Sequence, residues 1–310
     1  MYAELHCHSN YSFQEGASSV EELLVRARDL GLRALALTDH DNLCGAMHFA
    51  QVAKTLDIQA ITGSELTIKD GKDGQANSHL TFLAETQDGY SQLSNLLSYS
   101  YVAGDRRNPA LDLKYLPERV GGLILLTGCR NGRVPALLTQ GRYAEAETQL
   151  RRYLDWFGTD NVFVELQQNL VQGDTRRNRR LIDLARKLGV PTLATNNVHY
   201  HVPERHRLQD ALVAIKHNLS LEETHKERRA NNQFHLKSPA EMAALFTRCP
   251  EAIRNTLHIA ERCSFDVTKD LAYRFPDYPV PDGETAQSHF EDLCRKAAER
   301  HYGRIDEKVK

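Results

Sequence analysis

No run of 18 apolar residues occurs in this 310-residue chain, and its first 30 residues lack a basic stretch followed by an apolar run and a small-residue cleavage site. Both absences argue against a membrane partner, and a cytoplasmic protein is the expectation. Charge of one sign is missing too. With 39 basic and 41 acidic residues the formal charge is −2, so no global field draws the chain to DNA and any nucleic-acid contact has to be local. Cysteine is sparse and scattered, at positions 7, 44, 129, 249, 263 and 294, which is unlike a disulfide framework and predicts reduced thiols. There is no G-x-S-x-G elbow and no G-x-x-x-x-G-K-[ST] loop, so serine-hydrolase and P-loop chemistry fall away. Internal repeats and low-complexity tracts are absent as well.

What is present is alternation. Short apolar runs at Tyr2–His6, Arg33–Thr38, Gln59–Glu65, Leu80–Glu85, Gly122–Thr127, Val162–Gln167 and Thr192–Asn196 read as seven strands. Between them lie helical patterns at Val20–Leu30, Gly45–Leu56, Tyr90–Ala103, Tyr143–Phe157 and Thr175–Leu188. Ser19 and Glu22 open the first of these as a capping box, and Gly31 closes it. Strands alternating with helices imply parallel pairing with right-handed crossovers. The expectation is an α/β fold, a distorted seven-stranded (β/α) barrel over residues 1–202, with an open doubly wound sheet as the alternative. Helices at Pro203–Lys216, Pro239–Phe246 and Pro250–Arg262 then form a helical segment, residues 203–265. From 266 to 310 the pattern is an extended proline-rich linker, Phe275–Pro281, and a last helix at Glu284–His301.

Polar residues fall at the ends of several of these strands. His6 and His8 flank Cys7 in an extended stretch and so point to one side, as two imidazoles on one metal would. The second strand ends in Thr38-Asp39-His40, the third in Gly63-Ser64-Glu65, the fifth in Thr127-Gly128-Cys129, and the seventh leads into Asn197-Val198-His199. Taken singly, Asp39 reads as a cap or turn residue, Glu65 as a solvated strand end and Cys129 as a small hydrophobe. In a barrel, however, strand ends converge on one face. Imidazoles and carboxylates gathered there would hold two or three divalent ions, zinc or manganese with iron also compatible, which acidify water and clamp phosphate oxygens. Phosphoester hydrolysis is the chemistry that fits.

The motifs also carry a resemblance. His6-Cys7-His8-Ser9-Asn10-Tyr11-Ser12, Glu15-Gly16-Ala17 and Ala36-Leu37-Thr38-Asp39-His40-Asp41 resemble the start of a PHP (polymerase and histidinol phosphatase) domain. Gly63-Ser64-Glu65-Leu66, His79-Leu80-Thr81, Leu125-Leu126-Thr127-Gly128-Cys129, Ala194-Thr195-Asn196-Asn197-Val198-His199-Tyr200 and Phe234-His235-Leu236-Lys237-Ser238 follow in the order of bacterial replicative polymerase α subunits. The opening Tyr2-Ala3-Glu4-Leu5-His6 is most similar to error-prone, damage-inducible DnaE-like polymerases. The resemblance implies nine metal ligands: His6, His8, Glu15, His40, Glu65, His79, Cys129, Asn197 and His199, with His6, His8, Glu65 and His199 as the catalytic group. Glu15 and His79 enter through the resemblance alone. Asn197 departs from it, because the family carries Asp there, and a neutral amide weakens one metal position.

The resemblance further implies a metal-dependent phosphoesterase acting as a 3′–5′ exonuclease on DNA ends, single-stranded ones above all, with the remainder of a polymerase chain as partner. The palm carboxylates of such a polymerase are not in this sequence, and residues 283–310 resemble the first palm-proximal helices, so a fragment of a longer polymerase is expected. Two alternatives stand beside this: a non-catalytic metal-binding module, and a small-molecule phosphatase of the histidinol-phosphate kind. Two basic clusters, Arg176, Arg177, Arg179 and Arg180, and Lys226, Arg228, Arg229 and Lys237, are read as solvated surfaces, since no aromatic stacking platform accompanies them.

Overall fold

The structure, a computed structural model, describes residues 1–69, 77–102, 108–271, 273 and 278–303. Contacts divide the chain into a unit Met1–Leu271 and a second unit Ala272–Lys310. The first unit is a curled mixed sheet wrapped by helices. Its elements are α1 (Val20–Asp29), β1 (Ala34–Leu37), α2 (Ala46–Thr55), β2 (Gln59–Lys69), β3 (Ser78–Ala84), α3 (Gln87–Val102), β4 (Leu111–Asp112), β5 (Leu123–Leu126), α4 (Arg133–Thr139), α5 (Tyr143–Phe157), β6 (Val162–Gln167), α6 (Asp174–Leu188), β7 (Thr192–Thr195), α7 (His206–His217), α8 (Pro239–Leu245) and α9 (Pro250–Arg262). The sheet runs β1-β2-β3-β5-β6-β7, with β4 paired to the far end of β2.

Its pairing corrects the all-parallel expectation. β3 runs antiparallel to both β2 and β5. β2 continues past Glu65 to Lys69, so only residues 70–77 link it to β3, fewer than the dozen or more that a parallel crossover needs. β4 and α4 are further elements that periodicity did not mark, since two and seven residues are too few to show a period. The expected end of the third helix at Ala103 and the first residues of the linker, 275–277, lie outside the described residues.

The expected first strand is instead an extended segment held by single bridges, Glu4 to Leu35 on β1 and Cys7 to Val198 just beyond β7. It therefore sits between the two edge strands and completes the curl. It forms no regular ladder because side chains take its backbone donors: the His6 N–H goes to Glu4 Oε1 (2.9 Å), the Cys7 N–H to Thr38 Oγ1 (2.9 Å) and the Ala3 N–H to Thr256 Oγ1 (3.1 Å). Glu4 is fully buried, and burial pushes its carboxyl up to about 7 despite bonds from Tyr2, His6 and Asn196.

Strand alternation sorts the side chains. Leu35, Leu37, Val162, Val164 and Leu166 face the helices, whereas Ala34, Ala36, Phe163 and Leu193 face the inside of the curl. Ile259, Ala260 and Cys263 of α9 pack into that inner cluster and close its floor. The polar residues at the opposite end are thus held on a dry, packed base. The Ser19–Glu22 capping box of α1 is present as expected.

One close approach is unforgiving. A Cβ on Gly89 would collide with the carbonyl oxygen of Gly122, which is backbone and cannot swing away. Gly89→Ala should cost about 1–3 kcal/mol by overpacking and lower the melting temperature by several degrees. Gly121→Ala, where an added Cβ meets nothing within 4 Å, is the control and should leave it within about 1 °C; equal melting temperatures for the two variants would contradict the packing described. The second unit holds α10 (Ala286–Tyr302), capped by Thr285, close to the predicted last helix.

Candidate metal centre

Glu65, in the middle of β2 and almost fully buried, is the hub of the open end. Its Oε1 lies 3.4 Å from His6 Nε2, and its Oε2 lies 3.6, 3.5 and 3.3 Å from His8 Nε2, His40 Nδ1 and His79 Nδ1. Two groups result, His6 with His8 and Glu65, and His40 with Glu65 and His79, each with its donor atoms within 4.8 Å of one another. Glu15 reaches His40 Nδ1 at 3.3 Å, and Cys129 Sγ reaches His79 Nδ1 at 3.5 Å. Asn197 Oδ1 lies 2.9 Å from His199 Nε2, whose ring stacks on that of His8 at 4.4 Å.

The outward nitrogens fix where the lone pairs point. His6 Nδ1–H donates to Glu165 Oε1 at 2.7 Å, because a carboxylate only accepts. Ser12 gives its hydroxyl proton to Asp39 at 2.6 Å, so it accepts from His8 Nδ1–H at 3.1 Å. Thr67 gives its proton to Asp41 at 2.7 Å and accepts from His40 Nε2–H at 2.8 Å. His199 Nδ1–H faces the Glu15 carbonyl at 3.4 Å. Each ring therefore turns a lone pair inward, and carboxylate or hydroxyl partners that orient imidazoles this way are characteristic of metal ligands.

Two such lone pairs, His6 Nε2 and His8 Nε2, are 3.2 Å apart, which suits two nitrogens each about 2.0–2.1 Å from one ion and repels without a cation or proton between them. His40 Nδ1 and Glu65 Oε1 are buried with no hydrogen-bond partner. The donor set fits divalent metal.

Without metal, protons take that place. Burial alone would lower the His6 and His79 pKa values, but Glu165 and Glu65 raise that of His6, and chiefly Glu65 that of His79, each to about 10. Burial, with the neighbouring charges of His6 and His40, drives His8 down to about 3. Burial also raises the Cys129 thiol, so the metal-free residue is protonated. A folded pKa raised above the unfolded 6.5 gives stability that is fully present below about 6.5 and lost as pH rises through about 10. Metal competes with those protons. Its apparent affinity should climb between pH 7 and 9, by about tenfold per unit for each proton displaced, with measurable proton release in calorimetry run in two buffers; a flat profile would contradict the lone-pair assignment.

Residues 4–169, more than half of the chain, match the PHP domain. The chain belongs to the PHP domain family. Among curated relatives, the error-prone DNA polymerase of Symbiobacterium thermophilum is 37% identical over 100% of this chain and 29% of its own length. The DNA polymerase III subunit alpha of Treponema pallidum is 36% identical over 100% of this chain and 27% of its own length. The chain thus spans less than a third of these relatives. A two-domain Bacteroides vulgatus protein containing a predicted PHP-like metal-dependent phosphoesterase superposes with a TM-score of 0.37 at 12% identity, covering 85% of this chain and 69% of that one.

All nine residues named from the sequence lie at the open end, seven of them within residues 4–169. His79 escaped the strand-end rule because β3 is antiparallel: its first residues lie beside the last residues of β2, His79 opposite Thr67. Asp39, a strand-end candidate, is no ligand, since its oxygens are taken by the Ser9 N–H, Ser9 Oγ and Ser12 Oγ at 2.6–2.8 Å. Glu165 and Gln167 were missed, although they alternate with Phe163 along a wholly buried strand, and a carboxylate there was the available signal. Two basic clusters were misread in part. Arg177 is buried against Asp174, Lys237 is buried, and Arg229 turns inward to His199.

Proposed function

We propose that this PHP domain is the metal-dependent phosphoesterase module of an error-prone type of DNA polymerase and removes nucleotides from DNA 3′ ends, single-stranded ones above all. The observation that carries the reading is the inward-turned ring of imidazoles around Glu65. It borders a cavity of about 840 Å³ whose lining includes Arg130, Lys216, Lys226 and Arg228 as well as His79 and His199. His6, His8 and Glu65 would hold one ion, His40, His79 and Glu65 another, with Glu15, Cys129, Asn197 and His199 completing the set. Zinc or manganese suits these donors, and iron is compatible. Bound there, such ions acidify water and neutralise phosphate oxygens.

The chain's own groups supply the rest. Glu165, Ser12 and Thr67 keep the rings oriented, and the packed floor keeps bulk water out from below. Arg130 and Lys226 in the cavity lining attract a polyanion into it by local charge, which the neutral whole does not. The DNA assignment is supported by relatives named as DNA polymerases.

The test incubates the chain with Zn²⁺ or Mn²⁺ and a single-stranded oligonucleotide labelled at its 5′ end. Stepwise shortening from the 3′ end that His8→Ala removes is the expected result. Hydrolysis of small phosphomonoesters alone would favour a phosphatase of the histidinol-phosphate kind. No turnover with metal bound would favour a structural module of the polymerase, a reading to which the neutral Asn197 lends weight.

A further inference from the structure

The four imidazoles and Glu65 account for two ion positions, and the His199–Asn197 pair offers donors for a third. Arg229 already stands there. Its Nη2 bonds His199 Nε2, the nitrogen whose lone pair is turned inward because Nδ1–H faces the Glu15 carbonyl. Asn197 Oδ1, a second lone-pair donor, lies 2.9 Å from the same nitrogen. The guanidinium thus places its positive charge where His199 Nε2 and the Asn197 amide meet.

Arg229 is otherwise unusually placed. Its carbon Cζ lies 4.5 Å from the centre of the Phe234 ring, its Nε is buried without a partner, and no carboxylate forms an ion pair with it among the described residues. Its neighbour Arg228, by contrast, is neutralised by Asp210 at 2.7 Å. A side chain lining the cavity with its charge uncompensated is fitted to an anion arriving from outside, and the planar fork of arginine matches two oxygens of a phosphate group.

We infer that Arg229 takes the place of a third metal ion: the centre holds two ions, and the guanidinium provides the remaining positive charge to a phosphate group of the substrate. The inference rests on the metal-dependent reading above. It also gives Asn197 a reason, since a neutral residue beside His199 leaves the guanidinium free for phosphate, where an aspartate would pair with it.

The experiment counts metal per chain by mass spectrometry after saturation with Zn²⁺ and removal of free ion, and measures binding of inorganic phosphate to the metal-loaded chain by calorimetry. The wild type should saturate at two ions. Arg229→Gln should keep two ions, which also shows that it is folded, and weaken phosphate binding at least tenfold. Arg229→Lys should recover part of that loss, and the double variant Asn197→Asp with Arg229→Ala should take up a third ion. Three ions on the wild type, or phosphate binding unchanged in Arg229→Gln, would overturn the inference while leaving a metal-dependent enzyme. No ions on the wild type would instead sink the metal-dependent reading on which it stands.

Discussion

Glu65→Gln should strip the centre of metal and lower phosphoesterase turnover by at least about 100-fold, in line with the loss of a group that organises charge at a reacting phosphate. The change is nearly isosteric, so packing around β2 is kept and the lost negative charge is what is tested. Glu65 meets His6, His8, His40 and His79 within 3.3 to 3.6 Å, and it is the residue shared by both candidate ion groups. Removing its charge therefore weakens both ions together, whereas His40→Ala or His6→Ala should mainly affect one. Stability reports the same difference. An ion at a hundredfold excess over its Kd stabilises the folded state by about 2.7 kcal/mol. Chelation should thus lower the melting temperature of the wild type by several degrees and leave Glu65→Gln where it was. A Glu65→Gln protein that retains two ions would contradict the bridging role.

Asn197→Asp should act in the opposite direction on metal, tightening the weaker-bound ion about tenfold, while pairing of the new carboxylate with Arg229 weakens phosphate binding. The backbone permits the exchange: Asn197 has φ +47°, a left-handed conformation that Asp tolerates nearly as well as Asn. A unit charge about 4 Å away is worth about 4 kcal/mol at an effective dielectric of ~20. Burying the new carboxylate and its attraction to Arg229 offset part of this, and a net gain of about 1.4 kcal/mol corresponds to the tenfold change. Zn²⁺ and Mn²⁺ should be titrated separately, because a weak site looks inactive when it is merely empty. Unchanged metal and phosphate affinities in Asn197→Asp, alongside loss of metal in His8→Ala, would leave the centre intact and remove Asn197 from the account.

The legible part of the sequence was the part written in period and spacing. β1, β5, β6 and β7 announced themselves as short apolar runs, and α1 by its capping box. His6, His8, His40, Cys129 and His199 could be placed at one end because strand ends meet there in a barrel. What periodicity could not carry was direction. Nothing in the run from Gln59 to Ala84 distinguishes a hairpin from a crossover except the length of its link, and with strands expected to end at Glu65 and to start at Leu80 that link looked long enough for a crossover, which hid His79. Glu15 lies in a loop with no pattern of its own. Arg229 was illegible for a different reason: it sits in a basic stretch with Lys226 and Arg228 that has no period, and only the fold turns it toward His199. Glu165 was readable in principle, as a carboxylate on the inner face of a wholly buried strand whose other residues, Gln167 apart, are apolar.

Anomalous diffraction from crystals soaked in Zn²⁺ tests the central claim most directly, since it places ions without reference to activity. The account predicts two peaks flanking the Glu65 carboxylate, one beside His6 and His8 and one between His40 and His79, with ligand distances of about 2.0–2.3 Å. Peaks confined to the surface histidines, or a Glu65 cluster that stays free of metal at saturating Zn²⁺, would contradict it.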